Sequence, residues 1–332
     1  MKISETALNV LSSLTYKGIG RAWIVQHLGA IESPARLAAI LNQSAKDGGS
    51  ISALEFEERK EDLRQQWERL AGVVDGVVAI GDSDFPICRG QVKDSERPVA
   101  LFYRGNLPLL EKHNKNVAVV GLLNPDEDTE VFEKQVVSTL VSYGVTIVSG
   151  LALGCDSIAH KEALLSGGKT IAVLPSPITS IVPAGNSQLA EEIVEKNGLL
   201  ISEYYENAKS KMELSGRYIE RDRLQALFSD CVMLSASYSK NNLGNDSGSR
   251  HAMSYARSYS VARAIMYDSQ QNARNPKYDL NRQLIEEDRG VEQEHRAIVI
   301  NRGNVQEAVQ DIVSKHAGPQ WVDKWVQKGL FS

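Results

Sequence analysis

Residues 117–174 constrain the fold of this chain more than any other segment. They contain three short apolar runs, at 117–120, 145–148 and 170–174, separated by helix-length amphipathic stretches. Short runs rich in Val, Ile and Ala, bounded in this way, are typical of buried parallel strands that are joined by crossover helices. The pattern therefore predicts an α/β chain with a Rossmann-like unit and a mostly parallel sheet.

A glycine-rich turn follows the second of these runs. Ser149, Gly150 and Gly154 suit a tight turn, and Asp156 then opens a helix. Backbone amides at a helix start can hold an anion, so the turn is a candidate phosphate-binding loop. The strict G-x-G-x-x-G and Walker A patterns are absent, and such turns also occur for packing reasons alone. On these residues alone, both interpretations stay open.

Composition narrows the class of protein. With 332 residues, the chain can form one large α/β domain and a smaller companion. No apolar run approaches the roughly 18 residues of a membrane span, and the start of the chain lacks an apolar signal core, which predicts a cytoplasmic protein. The three cysteines lack C-x-x-C spacing, so neither a disulfide framework nor a zinc site is indicated, and no cofactor is predicted. The net charge of −5 argues against non-specific coating of nucleic acid but allows a local basic patch.

Three domains are predicted: a small helical domain at 1–72, an α/β domain at 73–318 and a helical tail at 319–332. In the first domain, Lys17 and Arg21 flank a G-I-G turn between two helices. This turn is either an ordinary connection or a phosphate contact of the helix-hairpin-helix kind. Trp321 and Trp325 share one face of the predicted tail, which either packs on its own domain or binds a partner.

The run S-G-L-A-x-G-x-D-x-x-A-H at 149–160 resembles the signature of the DNA-processing protein A family (DprA, also called Smf). Other blocks follow in the family's order: Phe85-Pro86, Leu174-Pro175, Pro183 with Asn186, Ser202-Glu203, and residues 218–224, which are similar to F-x-x-R-N-R-I. The resemblance covers about residues 5–265. It implies an extended Rossmann-like fold of the SLOG type, preceded by a small SAM-like or helix-hairpin-helix-like domain.

The resemblance also implies a function. Proteins of this family bind single-stranded DNA without catalysing a reaction, protect it, and help to load the RecA recombinase during natural transformation, usually as homodimers. One alternative is a SLOG-type nucleotide sensor or nucleotide hydrolase in phage defence or a stress response, in which Asp156 with His160, or Glu203, would serve as acid or base. Another is a scaffold that acts through the Trp-bearing tail.

In open α/β sheets, ligands bind beyond the carboxyl ends of the strands. The candidate nucleic-acid or nucleotide-binding residues that the motifs place there, or that the resemblance adds, are Gly121, Ser149, Gly150, Gly154, Asp156, His160, Lys169, Asn186, Ser202, Glu203, Arg217, Arg221, Arg223, Ser247, Gly248 and Ser249. No catalytic or metal-binding residue is predicted.

Two features of this set bear on charge. Arg221 and Arg223 either contact phosphates, or they are solvated or form ion pairs with Asp222 and Glu220. The residues alone favour solvation or ion pairs, whereas the resemblance favours phosphate. The chain also departs from the family pattern in the presumed groove. It has Gly121-Leu122-Leu123 in place of G-S-R, Ala184 in place of a lysine, and Asp222 in place of the asparagine of R-N-R. Each change removes or opposes positive charge.

Overall fold

The computed structural model describes residues 1–28, 33–46, 50–240 and 248–315. Ten strands form a single sheet within these ranges. They are β1 (Lys2–Ile3), β2 (Gly76–Ala79), β3 (Ala100–Gly105), β4 (Asn116–Val120), β5 (Thr146–Ser149), β6 (Thr170–Leu174), β7 (Leu199–Ser202), β8 (Cys231–Leu234), β9 (Ala262–Met266) and β10 (Ile298–Ile300).

The helices of the described residues are α1 (Glu5–Leu14), α2 (Arg21–His27), α3 (Pro34–Ser44), α4 (Ala53–Glu68), α5 (Glu127–Ser142), α6 (Cys155–Leu165), α7 (Ser187–Glu195), α8 (Lys211–Leu227), α9 (Ser249–Ser258), α10 (Asp279–Glu287) and α11 (Val305–Ser314). Several of them begin at a side chain that caps a free backbone amide. Ser4, Ser52, Asp126 and Ser210 each accept a hydrogen bond from the amide three residues later.

The strand order is β1-β2-β3-β7-β6-β5-β4-β8-β9-β10. From β7 through to β10 every neighbouring pair is parallel, whereas β3 is antiparallel to both β2 and β7. The order β6-β5-β4-β8-β9-β10 is that of a doubly wound Rossmann sheet, which β7, β3, β2 and β1 extend. The prediction of an extended Rossmann-like fold with a mostly parallel sheet is therefore confirmed.

Successive residues of a strand face opposite layers of the molecule. In β6, Ile171 and Val173 pack in one apolar cluster, whereas Ala172 and Leu174 pack in another. The second cluster also contains the buried side chains of the N-terminal helices. In it, Trp67 of α4 meets Phe102 of β3 edge to face, with ring centroids 5.4 Å apart. The N-terminal helices therefore cover one face of the extended half of the sheet.

In the C-terminal part of the chain, the polar stretch 268–294 forms an excursion between β9 and the last strand, and it contains α10. Asn281 of α10 donates to the carbonyl oxygens of Ser235 and Met266, which ties the excursion to the carboxyl ends of β8 and β9. The predicted tail with Trp321 and Trp325 lies outside the described residues.

Candidate nucleic-acid interface

The topological switch point of the sheet lies at the carboxyl ends of β4 and β8, and we refer to the space beyond these ends as the crevice. From β4 the chain winds outward through β5, β6 and β7, and it then crosses to β8 and winds outward in the other direction through β9 and β10. In doubly wound proteins the connections on the two sides of such a switch point diverge, and ligands bind beyond it. Gly121 follows β4 and Ser235 follows β8.

Gly121 is the point at which the surrounding loops meet. A Cβ atom at this position would lie 2.6 Å from Cys155 Sγ and 3.2 Å from Ser235 Cβ. At the start of α9, Ser249 Oγ donates a hydrogen bond to the Gly121 carbonyl oxygen at 2.9 Å. The absence of a side chain at residue 121 therefore lets the segments after β4, β5 and β8 close on one another.

The turn after β5 is held by its own aspartate. Asp156 Oδ2 accepts hydrogen bonds from the backbone amides of Gly150 at 3.1 Å and Ala152 at 3.3 Å. Ser149 Oγ donates to the carbonyl oxygen of Val119 in β4 at 2.7 Å. A carboxylate of the chain itself therefore occupies the place in this turn where the sequence predicts a phosphate.

The same turn also contacts the loop after β4. Gly154 has φ +72°, and a Cβ atom there would lie 2.2 Å from the carbonyl oxygen of Leu122. The amide of Cys155 donates to that oxygen at 2.9 Å. The two loops are thus in direct contact, and glycine is required at 154 both by its backbone conformation and by this approach.

Arg221 reaches from α8 to the turn after β5. Its guanidinium lies 3.6 Å from the Asp156 carboxylate and 3.5 Å from that of Asp222, and all three side chains are buried. A Cβ atom at residue 150 would lie 1.2 Å from Arg221 Nη1, so the guanidinium occupies space that only Gly150 leaves open. Burial raises the pKa of Asp156, against the effect of Arg221, and raises the pKa of Asp222 to about 7.

A second buried ion pair involves an arginine two residues further along α8. Arg223 Nη2 donates to both carboxylate oxygens of Glu203 at 2.7 Å, and its side chain is 1% exposed. Glu220 lies 3.3 Å from Arg223 Nε. From α2, Arg21 approaches Glu203 at 3.4 Å and Glu220 at 2.7 Å. We refer to Asp156, Glu203, Arg221, Asp222 and Arg223 together as the charge wall.

The charge wall bears on the two interpretations of Arg221 and Arg223. The structure contains the ion pairs with Asp222 and Glu220 that the sequence suggests as one possibility. The predicted phosphate contacts stay a prediction, which requires these buried groups to exchange partners.

Other basic residues of the predictions are paired as well. Arg217 pairs with Glu213 at 2.6 Å and lies over the ring of Tyr204. Arg21, at the predicted interhelical turn, is paired with Glu203 and Glu220. A sequence offers no direct sign of this contact, because the partners are about 180 residues apart or more.

Two of the predicted polar residues form hydrogen bonds with segments that follow the carboxyl ends of strands. Asn186 Nδ2 donates to the carbonyl oxygen of Leu151 at 2.8 Å and to Ser157 Oγ at 3.0 Å. Ser202 Oγ donates to the carbonyl oxygen of Ser176 at 2.8 Å. Both residues are buried, so the structure places them beneath the crevice rather than on its surface.

His160 and Lys169 do not lie at the crevice. His160 is buried with Nδ1 2.6 Å from Thr170 Oγ1, and burial lowers its pKa to about 3. Lys169 precedes β6, at the amino end of the strand, where its Nζ donates to the carbonyl oxygen of Lys196. The structure therefore places Lys169 at the edge of the sheet opposite the crevice. Gly248 lies near the crevice, where its Cβ position is 3.3 Å from Asp222 Oδ2, and Ser247 lies outside the described residues.

Sequence reasoning missed Glu133. This residue of α5 is fully buried, with its carboxyl group against the Cys155 thiol and the Ser235 hydroxyl beneath Gly121, and burial raises its pKa to about 8. The first turns of α5 carry several other acidic residues, so the sequence pattern is that of a solvated helix face. Only the meeting of α5, α6 and β8 distinguishes Glu133 from its neighbours.

Two further observations concern the described part of the chain as a whole. One group of potential metal ligands comes together there, Glu292, Glu294 and His295, and all three are exposed and far along the chain from the crevice residues. Within the same ranges, every helix is too short or too polar to cross a bilayer.

A sequence profile of the DNA recombination-mediator protein A family matches residues 76–299, which is more than half of the chain. The chain belongs to this family. The match includes the strands that bound the crevice, the turn at 149–156 and the charge wall. The family resemblance expected from the sequence motifs is thereby confirmed.

Individual relatives are similar over part of their length. The chain is 34% identical to protein Smf of Synechocystis over 155 residues, 46% of this chain and 37% of the relative. It is 40% identical to Escherichia coli Smf over 110 residues, 33% of this chain and 29% of the relative. With Streptococcus pneumoniae DprA the identity is 37% over 126 residues, 38% of this chain and 43% of the relative. The matched segments thus span less than half of these relatives.

Two solved structures are similar to this fold over more of the chain than the sequence matches cover. DNA processing protein A of Streptococcus pneumoniae superposes with a TM-score of 0.65 and 24% identity, over 93% of this chain and 98% of that protein. The Helicobacter pylori protein, whose structure concerns its single-stranded DNA binding mode, gives a TM-score of 0.54 and 25% identity, over 72% of this chain and 96% of that protein. The fold is that of DNA processing protein A.

Proposed function

We propose that this chain binds single-stranded DNA in the crevice between β4 and β8 and acts in DNA recombination. The observation that carries the proposal is the junction at Gly121, where the loops after β4, β5 and β8 and the start of α9 meet at one edge of the sheet. This edge is where the doubly wound fold binds ligands. The likeness to the Helicobacter pylori protein, with its single-stranded DNA binding mode, supports DNA as the ligand.

The proposed role is binding without catalysis. The two candidate acid-base residues of α6 have separate partners: Asp156 accepts from two backbone amides, and His160 contacts Thr170. The low pKa of His160, about 3, keeps its ring neutral. Glu203, the other candidate base, is bound to Arg223 through both oxygens. These groups are committed to the fold, which leaves them poorly suited to proton transfer.

The biological setting follows from the family. We infer that the protein protects single-stranded DNA and helps a RecA-type recombinase to load during natural transformation, as a cytoplasmic homodimer with a SLOG-type core. The domain division at residues 72 and 318 is part of this proposal. The family's description as a recombination mediator supports it.

A nucleotide sensor or hydrolase of the SLOG type is the second candidate. It is favoured by the ion pairs of Arg21, Arg217, Arg221 and Arg223, which all involve carboxylates of the protein. A long DNA strand usually gains affinity from many unpaired cations, whereas one nucleotide needs few.

An experiment that separates the two candidates measures fluorescence anisotropy of labelled single-stranded and duplex DNA at low and moderate salt. Asn124 is exposed in the loop after β4, and Gln135 is exposed on α5. The variants Asn124→Asp and Gln135→Glu each replace an amide by a carboxylate of the same shape. We expect the wild type to prefer the single strand, and Asn124→Asp to weaken this binding several-fold more than Gln135→Glu because its charge faces the DNA.

Each outcome decides between the candidates. Equal effects of the two substitutions would place the DNA away from the crevice. No binding of single-stranded DNA by the wild type, even at low salt, would overturn the proposal. Saturable binding of a mononucleotide in that case would support the second candidate.

A further inference from the structure

Two exposed leucines lie on adjoining loops at the carboxyl edge of the sheet. Leu123 is 64% exposed and Leu153 is 52% exposed. They belong to the loops after β4 and β5, which touch: a Cβ atom at Gly154 would lie 2.5 Å from the carbonyl carbon of Leu123. We refer to Leu123 and Leu153 together as the apolar lip.

The exposure of the apolar lip does not come from loose loops. Leu122, the residue before Leu123 in the loop after β4, is buried at 3% exposure and packs against Cys155 and Tyr278. Its carbonyl oxygen accepts a hydrogen bond from Cys155, so the backbone on both sides of the lip is fixed. A single exposed leucine is ordinary on a protein surface, but two on adjoining loops at the ligand edge of a sheet indicate a contact surface.

The surrounding charges limit what this surface can contact. The guanidinium groups of the charge wall are buried in ion pairs with Asp156, Glu203 and Asp222. Phosphate binding by these cations would require breaking buried ion pairs, which is costly. The lip, in contrast, offers apolar area without rearrangement. A ligand that gains affinity here must present an apolar face.

Nucleobases have such faces, and single-stranded DNA exposes them whereas a duplex stacks them away. We propose that the apolar lip receives a nucleobase of single-stranded DNA and that Leu123 and Leu153 contact its face. This inference rests on the proposed function and adds which part of the DNA is recognised. Affinity then depends on the bases more than on the phosphates, and the strand is distinguished from duplex by the availability of base faces.

The test compares a labelled oligothymidine with an abasic oligonucleotide of the same length, which keeps the phosphates and lacks the bases. The protein variants are Leu123→Ala with Leu153→Ala, and the control Leu165→Ala. Leu165 is 77% exposed at the end of α6, whose start adjoins Leu153, so it lies about 15 Å along the helix from the lip. We expect the double variant to bind oligothymidine about tenfold more weakly, with little change for the abasic strand, and Leu165→Ala to bind like the wild type.

The outcomes separate this inference from the function on which it rests. If the wild type binds oligothymidine and the double variant binds it equally well, the lip is not a base contact, while DNA binding stands. An equal loss for the abasic strand would also overturn the inference, because the lip would then act on the backbone. If the wild type binds neither oligonucleotide, both proposals fail.

Two control measurements check the variants themselves. Unchanged thermal unfolding and unchanged mass in light scattering would show that the variants neither unfold nor alter an oligomer. A change in mass would assign the lip to a contact between copies.

Discussion

The charge wall and the apolar lip lie at the same edge of the sheet but invert the usual relation between residue type and exposure. The wall buries arginines and carboxylates, with Arg223 at 1% exposure, whereas the lip leaves Leu123 at 64%. Buried charges are retained only when they are paired, and exposed leucines gain nothing from folding. The comparison indicates that the wall serves the fold and the lip serves the ligand. Substitutions in the two regions should therefore affect different measurements.

The largest effect is expected from Glu203→Ala. Among the described residues it leaves Arg223 buried with Glu220 as its one carboxylate partner and Arg21 with one partner fewer, which should lower the free energy of unfolding by about 3 kcal/mol. Urea denaturation measures this. The matched control is Glu191→Ala, which removes an ion pair with Arg104 of the same 2.7 Å length but with a 52% exposed carboxylate, and should cost less than about 1 kcal/mol. Similar losses in both variants would mean that the wall is no more structural than a surface pair.

The next effect concerns the glycine on which Arg221 lies. Gly150→Ala places a methyl group 1.2 Å from Arg221 Nη1, so the guanidinium must move from Asp156, and we expect a loss of about 1–3 kcal/mol in unfolding free energy. Gly216→Ala, in the same helix as Arg221, meets no atom of the described part of the chain within 4 Å and should stabilise the protein by up to about 1 kcal/mol through helix propensity. A neutral result for Gly150→Ala would show that Arg221 is not fixed against the turn.

The elements of the fold were more predictable from the sequence than the partners of individual polar residues. The strands follow from apolar runs, because a buried parallel strand must be apolar on both faces, and the turn at 149–156 follows from its glycines. The roles of individual polar residues do not follow. Whether Arg221 faces DNA or Asp156 depends on how α8 packs against the turn, and Lys169 falls at the wrong edge because its strand begins just after it. A local sequence pattern predicts a strand or a turn, whereas the hydrogen-bond or ion-pair partner of a side chain, often distant in sequence, depends on how the helices and strands pack.

A smaller effect should appear in the pH dependence of the wall. The pKa of Asp222 is raised by burial from 3.8 to about 7. The folded protein then holds this proton more tightly than the unfolded chain, so this group makes the unfolding free energy fall as pH rises from about 4 to about 7. Asp222→Asn removes the titration and should flatten that fall by up to about 1.4 kcal/mol per pH unit, measured as the difference between variant and wild type in urea denaturation at several pH values.

Taking that difference is necessary because Glu133, with a pKa of about 8, and Asp156 titrate in both proteins. Parallel stability curves for wild type and Asp222→Asn would contradict a raised pKa at Asp222. The wall would then hold two ionised carboxylates against one guanidinium throughout this range.

The smallest effect on stability, and the sharpest test of the comparison, is expected in the lip. Leu123→Arg places an unpaired cation at the mouth of the crevice, where the side chain is already exposed, so the unfolding free energy should change by less than about 0.5 kcal/mol. If single-stranded DNA runs past the lip, the new cation meets a phosphate, and the slope of log K against log salt should steepen by about 0.7. Leu165→Arg adds the same charge at the far end of α6, where no such steepening is expected. Equal steepening in both variants would show that DNA senses only the net charge of the protein, and the lip would lose its distinction from the rest of the surface.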